Sequence, residues 1–221
     1  MQHALVIGAS GGIGRAISAE LESRGWRVTG LSRSADGLDV TDAASVTAHL
    51  SKLEGPFQRI IIATGALEIG NHRPEKALKH ITSEAMAAQF ALNATGPALV
   101  LAHTARLLPR DEAAVVATLS ARVGSIGDNQ IGGWHSYRAA KAAVNQIIRG
   151  AAIELSRTHK RAACVALHPG TVATKFTEKY LGRHPAVSAE QAAKRLLDVM
   201  DSLGPEQTGQ FFDYAGKPVP W

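Results

Sequence analysis

Short, nearly unbroken apolar runs alternate along this chain with longer stretches whose apolar residues recur every three or four positions. Ala4-Leu5-Val6-Ile7 and Ile60-Ile61-Ile62 are strand-sized runs of the first kind. Residues 3–9 read as a first strand, and 12–24 as a helix with Ile13, Ile17 and Leu21 along one face and Gly25 as its stop. A second strand covers 26–31, and Thr41 is the expected N-cap of a helix over 42–53. The third strand is expected at 57–63, a long helix at 83–108 ending before Pro109, and a strand at 113–119. A second long helix spans 134–158, followed by a strand at 162–167, a helix at 188–203 capped by Ser188, and a last short strand at 210–214. Strand and helix in alternation predict an α/β fold: a doubly wound, mostly parallel sheet with helices on both faces. No repeat, low-complexity tract or linker interrupts the pattern, so residues 1–221 are read as one domain. The polar stretches 67–79 and 175–185 are expected to be mobile. Both would lie near the carboxyl ends of strands, where open α/β sheets bind ligands.

Composition narrows this picture a little. With 45% hydrophobic and 19% charged residues the chain has a globular composition. Its longest apolar runs fall far short of the roughly 20 residues of a membrane helix. The first six residues lack the basic start and apolar stretch of a secretory leader. The lone Cys164 cannot form an internal disulfide and fits a reducing cytoplasm, the expected location. A net charge of +5 raises the question of nucleic acid, but Lys and Arg are scattered without a basic run. A basic pocket for phosphates explains the excess as well. The expected partner is therefore a small molecule, with neither nucleic acid nor a membrane, and no metal site is assigned.

The candidate chemistry begins where the first strand meets the first helix. Gly8-Ala9-Ser10-Gly11-Gly12-Ile13-Gly14 supplies glycines for a tight turn, for close approach of the backbone to a pyrophosphate and for packing of helix on strand. The amides that open the helix would then face the anion. A glycine-rich structural turn is the alternative reading. The tip of the second strand bears on which dinucleotide binds. Leu31-Ser32-Arg33-Ser34 lacks the acid that usually accepts the ribose hydroxyls of NAD, and Asp36 lies beyond the strand. Arg33 can clamp a 2′-phosphate, so NADP(H) is the expected cofactor; Arg15 is a possible helper, and an ordinary surface role for Arg33 is the alternative.

Tyr137-Arg138-Ala139-Ala140-Lys141 puts a phenol and an ammonium at i and i+4 on one helix face. A fixed cation favours the phenolate and would bring its titration toward neutrality, as acid–base work on a carbonyl requires. Alone, the spacing also occurs by chance on surface helices. Taken together, the glycine turn, Asp39-Val40, Asn93, Tyr137-x3-Lys141 and Pro169-Gly170 stand in the order and rough spacing of short-chain dehydrogenase/reductases, and the resemblance covers nearly the whole chain. Gly124-Ser125-Ile126-Gly127-Asp128-Asn129 with Gly132-Gly133-Trp134 resembles the small carbonyl-reductase branch of C-factor-type and sniffer-type proteins.

The resemblance implies a Rossmann-like NADP(H)-binding domain that transfers a hydride between the cofactor and a small carbonyl or alcohol. It implies that Tyr137 donates the proton, that Lys141 binds the nicotinamide ribose and tunes the phenol, and that Asn93 holds a relay water. Asp39 and Val40 would contact adenine, Ala63 and Gly65 would touch the cofactor, and Pro169, Gly170, Thr171, Val172 and Thr174 would line the nicotinamide and pyrophosphate. Relatives of this type often pair through the two long helices, so a homo-oligomer is expected. A helix-bending role for Asn93 and a plain turn at Pro169-Gly170 remain open.

The chain departs from the family pattern at two places. Ala63-Thr64-Gly65 replaces Asn-Ala-Gly, with Thr64 as a partial substitute for the asparagine that braces the sheet. Alignment on Gly124 puts Ala121 where the catalytic serine belongs. Ser120, one place earlier, would serve if the strand end carries a bulge near Ala121, because adjacent strand residues face opposite ways. Ser125 is the other stand-in. This gap leaves a second reading open, an NADP(H)-binding regulatory protein with little catalysis.

Overall fold

Apart from the edge strand over residues 27–31, the strands of the sheet are largely buried on both faces, which is why they read as continuous apolar runs rather than alternating ones. The computed structural model describes residues 1–174, 177–180 and 186–221, so much of the stretch 175–185 lies outside the described residues. The elements in chain order are β1 (His3–Ile7), α1 (Gly12–Ser23), β2 (Arg27–Leu31), α2 (Arg33–Asp36), α3 (Ala43–Leu50), β3 (Arg59–Ile62), α4 (Ser83–Phe90), α5 (Gly96–Leu101) and α6 (Thr104–Leu107). They continue with β4 (Ala114–Leu119), α7 (His135–Thr158), β5 (Ala162–His168), α8 (Ala189–Asp201) and β6 (Phe211–Asp213). The strands pair in parallel in the order β2-β1-β3-β4-β5-β6. The order changes direction between β1 and β3, and a crevice for ligands opens at such a point.

Alternate residues of each strand feed two cores. Leu5, Ile7, Ile60, Ile62 and Val116 face Val144, Ile148 and Ala152 of α7, together with residues of α3 and α5. Ala4, Val6, Ile61, Ala117 and Val165 face Ile17 and Leu21 of α1 and Leu196, Leu197 and Met200 of α8. No described helix is long and apolar enough to cross a membrane.

Three expectations need correction here. The cap of α3 is Asp42, whose carboxylate accepts from the Ala44 and Ser45 amides at 3.0 and 3.3 Å. Thr41 is instead tied to Asp39 Oδ1 through its amide and hydroxyl. The long helix expected at 83–108 is broken into α4, a wider π turn over Ala91–Thr95, α5 and α6. Pro97 supplies part of the reason, because it has no N–H for the carbonyl four residues earlier, that of Asn93. Finally, the stretch 67–79 is fastened rather than loose. The Gln89 amide donates to Leu67 O at 2.8 Å, and Glu75 is buried against Ser136.

Candidate active site

The carboxyl ends of β1, β3, β4 and β5 meet around one cavity of about 1070 Å³, at the large end of the roughly 300–1,000 Å³ common for ligand sites. The glycine turn forms one wall. A Cβ on Gly14 would stand 2.1 Å from Gly8 O, and one on Gly12 would stand 2.8 Å from Thr174 Cγ2. Only glycine permits the turn to fold this tightly and Thr174 to close over it. The N-cap of α1 is Gly11, which offers no side chain, and the first turn holds no acid. The opening amides of α1 are therefore available to an anion, and a dinucleotide pyrophosphate fits this cradle.

At the tip of β2, the Ser34 hydroxyl donates to Ser10 Oγ at 2.8 Å and joins the tip to the turn. The Arg33 side chain is exposed and makes no hydrogen bond or ion pair with the described residues. Asp36 is committed: its Oδ2 accepts from the Ser32 amide at 2.7 Å and the Ser32 hydroxyl at 3.2 Å. Arg15 lines the cavity itself. Arg33, Asp39, Val40 and Thr171 do not line it, whereas Ala63, Gly65, Pro169, Gly170, Val172 and Thr174 do. The Thr41 hydroxyl and amide hold the Asp39 carboxyl below its ordinary range, with Arg33 assisting.

Tyr137 and Lys141 are buried side by side on α7 at the cavity wall. Lys141 Nζ lies 5.8 Å from the centroid of the Tyr137 ring and donates to Leu119 O at 3.0 Å. Burial pushes the Lys141 ammonium down to about 8 and pushes the Tyr137 phenol up. The expected lowering of the phenol is thus not found here. Desolvation dominates both groups.

Asn93 is fully buried in the π turn. Its Oδ1 accepts from the Ala66 amide at 3.2 Å, and its Nδ2 donates to Ala66 O at 2.9 Å and Gln89 Oε1 at 2.7 Å. Gly65 sits between Asn93 and the lysine, because a Cβ there would meet Asn93 Oδ1 at 2.8 Å and Lys141 Nζ at 3.4 Å. Thr64 does not brace the sheet as expected. Its buried Oγ1 has no hydrogen-bond partner among the described residues.

The strand-end bulge is also absent. β4 and β5 stay in register from Ala114↔Ala162 to Leu119↔Leu167, and the Ser120 amide continues the ladder to Leu167 O at 2.8 Å. Ser120 touches the cavity, but its hydroxyl donates to Asn145 Oδ1 of α7 at 2.6 Å. Its single proton is directed at α7 instead of at Tyr137. Ser125 is buried and accepts from the Asp128 amide at 3.1 Å, outside the cavity wall. Ala121 lines the wall where a serine was expected.

Two residues escaped the sequence reading. His168 lines the cavity with Nδ1 buried and without a hydrogen-bond partner among the described residues, and burial, with Arg122 assisting, pushes its imidazole down to about 4. It is neutral at pH 7. Nothing in its spacing marks it, since the residue before a Pro-Gly turn is unconstrained in type. Glu75 lies in a polar loop whose pattern predicts only exposure, yet it is 5% exposed. No group of three or more His, Cys, Asp or Glu among the described residues is placed to hold a metal.

Residues 8–202 match a family model described as enoyl-(acyl carrier protein) reductase. A 1-hydroxy-2-glutathionyl-2-methyl-3-butene dehydrogenase of Rhodococcus sp. (strain AD45) is 33% identical with both chains fully covered. The C-signal protein of Myxococcus xanthus is 35% identical over 66% of this chain and 84% of its own. A Burkholderia multivorans protein described as a short-chain dehydrogenase/reductase and solved with bound NADP superposes with a TM-score of 0.81. It is 25% identical, with 100% of this chain and 99% of that one covered.

Proposed function

Because the chain belongs to the short-chain dehydrogenase/reductase family, we propose that it is an NADP(H)-dependent oxidoreductase acting on a small carbonyl or alcohol, with Tyr137 as the acid–base group. One observation carries the reading: the Tyr137–Lys141 pair lies on the wall of the same cavity as the uncapped start of α1. A dinucleotide held there would supply or accept the hydride. The chain's part is to hold the phosphates on the α1 amides, to grip the 2′-phosphate with Arg33 and Arg15, and to manage the proton. The Tyr137 hydroxyl gives its proton to the oxygen of the reduced carbonyl, or takes it from the alcohol. Lys141, buried at Leu119 O, holds a positive charge beside the phenol and contacts the ribose. Asn93, whose side chain meets Gly65 opposite Lys141, would hold the relay water that passes the proton outward from the lysine.

Alcohol oxidation by the Rhodococcus relative and bound NADP in the Burkholderia structure support this reading of reaction and cofactor. One observation favours a second reading, a regulatory NADP(H)-binding protein: Ala121 stands on the cavity wall where the family's serine was expected, and the neighbouring Ser120 gives its proton to Asn145. A panel of carbonyl compounds assayed by NADPH consumption, with NADPH binding measured in parallel, separates the two. Turnover on any member supports the enzyme. Binding without turnover across ketones, aldehydes and their alcohols supports the regulatory protein.

A further inference from the structure

We propose that Glu75 is a positioning residue for Tyr137: its buried carboxylate fastens the first turn of α7 and so fixes where the phenol stands in the cavity. The inference rests on the reading of Tyr137 as the acid–base group.

The start of α7 lacks a cap of its own. Trp134 occupies the N-cap with no side-chain hydrogen bond to the turn, at φ +50, a left-handed conformation unusual for so bulky a residue. Gly132 and Gly133 precede it at φ +68 and +65. The chain thus enters the helix through three consecutive residues that local preference does not hold in place. The hold comes from Glu75, 59 positions before Trp134, in the loop between β3 and α4. Its main-chain carbonyl accepts from the Trp134 amide at 2.6 Å. Its Oε2 accepts from the Ser136 amide at 3.2 Å, and its Oε1 accepts from the Ser136 hydroxyl.

These bonds hold the turn that leads into Tyr137. Ser136 is the residue immediately before Tyr137, and the Trp134 ring stands edge-on to the phenol ring at 6.4 Å and 66°. Arg138, the residue after it, ties back to Gly133 O at 2.9 Å and Val123 O at 3.2 Å, so the turn is also braced from the loop side.

Stability alone is a poor account of this arrangement. α7 runs 24 residues and is anchored along its length by Val144, Ile148, Ala152 and Leu155, so the helix forms without help from its first turn. A buried carboxylate with no Lys or Arg ion pair among the described residues is costly unless donors surround it. Here the positive end of α7 and the two Ser136 donors meet that need. Burial would raise the Glu75 carboxyl, but the Ser136 bonds and the His135 charge outweigh it and hold it low. A charged group kept at such cost at the entry to the acid–base residue acts on that residue's placement, and a displacement of about 1 Å at a reacting group costs on the order of 10²-fold in rate.

The test uses the full chain with NADPH and a carbonyl substrate found in the panel. Glu75→Ala lowers kcat by roughly 10- to 100-fold while NADPH Kd stays unchanged. Glu75→Gln, which keeps an acceptor oxygen for Ser136, restores most of the rate. Adding Ser136→Ala to Glu75→Ala slows the enzyme no further, because both changes break one linkage. With ¹³Cζ-labelled tyrosine, the Tyr137 resonance moves in Glu75→Ala and returns in Glu75→Gln, while that of Tyr214 stays in place. A folded Glu75→Ala with unchanged kcat overturns the inference, as does a loss of rate that follows NADPH Kd. Should Glu75→Ala not fold, Glu75→Gln decides: additive losses with Ser136→Ala count against it. Should the unmodified chain turn over no carbonyl, the functional reading fails separately, and the tyrosine resonances alone decide whether Glu75 positions Tyr137.

Discussion

Individual side chains set cofactor choice and the strength of the chemistry. Arg33 stands exposed and uncommitted beside a turn joined to it by Ser34 and Ser10, while Asp36 is spent on Ser32. Arg33→Asp should therefore weaken NADPH binding by about 1.5–3 kcal/mol, the worth of charge-assisted hydrogen bonds, and leave NADH binding nearly as before. Fluorescence titration of both cofactors checks this, and equal NADPH affinity in the two proteins would sink it. The serine question has a similarly direct test. Ser120 gives its proton to Asn145, so Ser120→Ala should cost about 1–3 kcal/mol of stability by leaving a buried acceptor unpaired. Its rate loss should stay below the ~10²–10³ typical of a lost oxyanion donor. Ala121→Ser, which puts a hydroxyl on the cavity wall, should raise kcat. If Ser120→Ala abolishes turnover and Ala121→Ser changes nothing, Ser120 is the carbonyl donor after all.

Among the elements, strand positions were the most legible in the sequence, because strands buried on both faces leave unbroken apolar runs: β1, β3, β4 and β5 lie within one or two residues of their expected limits. The glycine turn was legible for a related reason, since its spacing reflects close contacts that no other residue survives. Gly14→Ala would force a Cβ to 2.1 Å from Gly8 O. It should abolish NADPH binding and cost about 1–3 kcal/mol in a thermal melt, typical of overpacking. A variant that binds NADPH normally would show the turn to be merely structural. What the sequence concealed depends on contacts between distant segments. The π turn at Asn93 looks helical in periodicity, and only the absent N–H of Pro97 hints at the break. The register of Ser120 could not be read either, because it hinges on whether the ladder slips by one residue, and here it does not. Glu75 and His168 were invisible because their burial comes from partners 61 and 46 positions away, Ser136 and Tyr214.

At the scale of the whole molecule, the reversal of strand order between β1 and β3 gathers four strand ends around one cavity, with the start of α1 and the Tyr137–Lys141 pair on its wall. Burial in that cavity gives the pair its pH response. Lys141 titrates near 8, so carbonyl reduction, which needs the positive charge beside the phenol, should fall as pH rises through about 8. A kcat profile that is flat through that range would mean that Lys141 carries no charge the reaction uses. The central claim is that one cavity divides its labour, the α1 turn binding the dinucleotide and Tyr137 moving the proton. Tyr137→Phe, assayed side by side for NADPH binding and for turnover, tests it most directly. The account predicts NADPH affinity and thermal melting close to those of the unmodified protein, with kcat lowered by at least the ~10²-fold of a lost general acid; a phenylalanine variant that turns over substrate at full rate would contradict it.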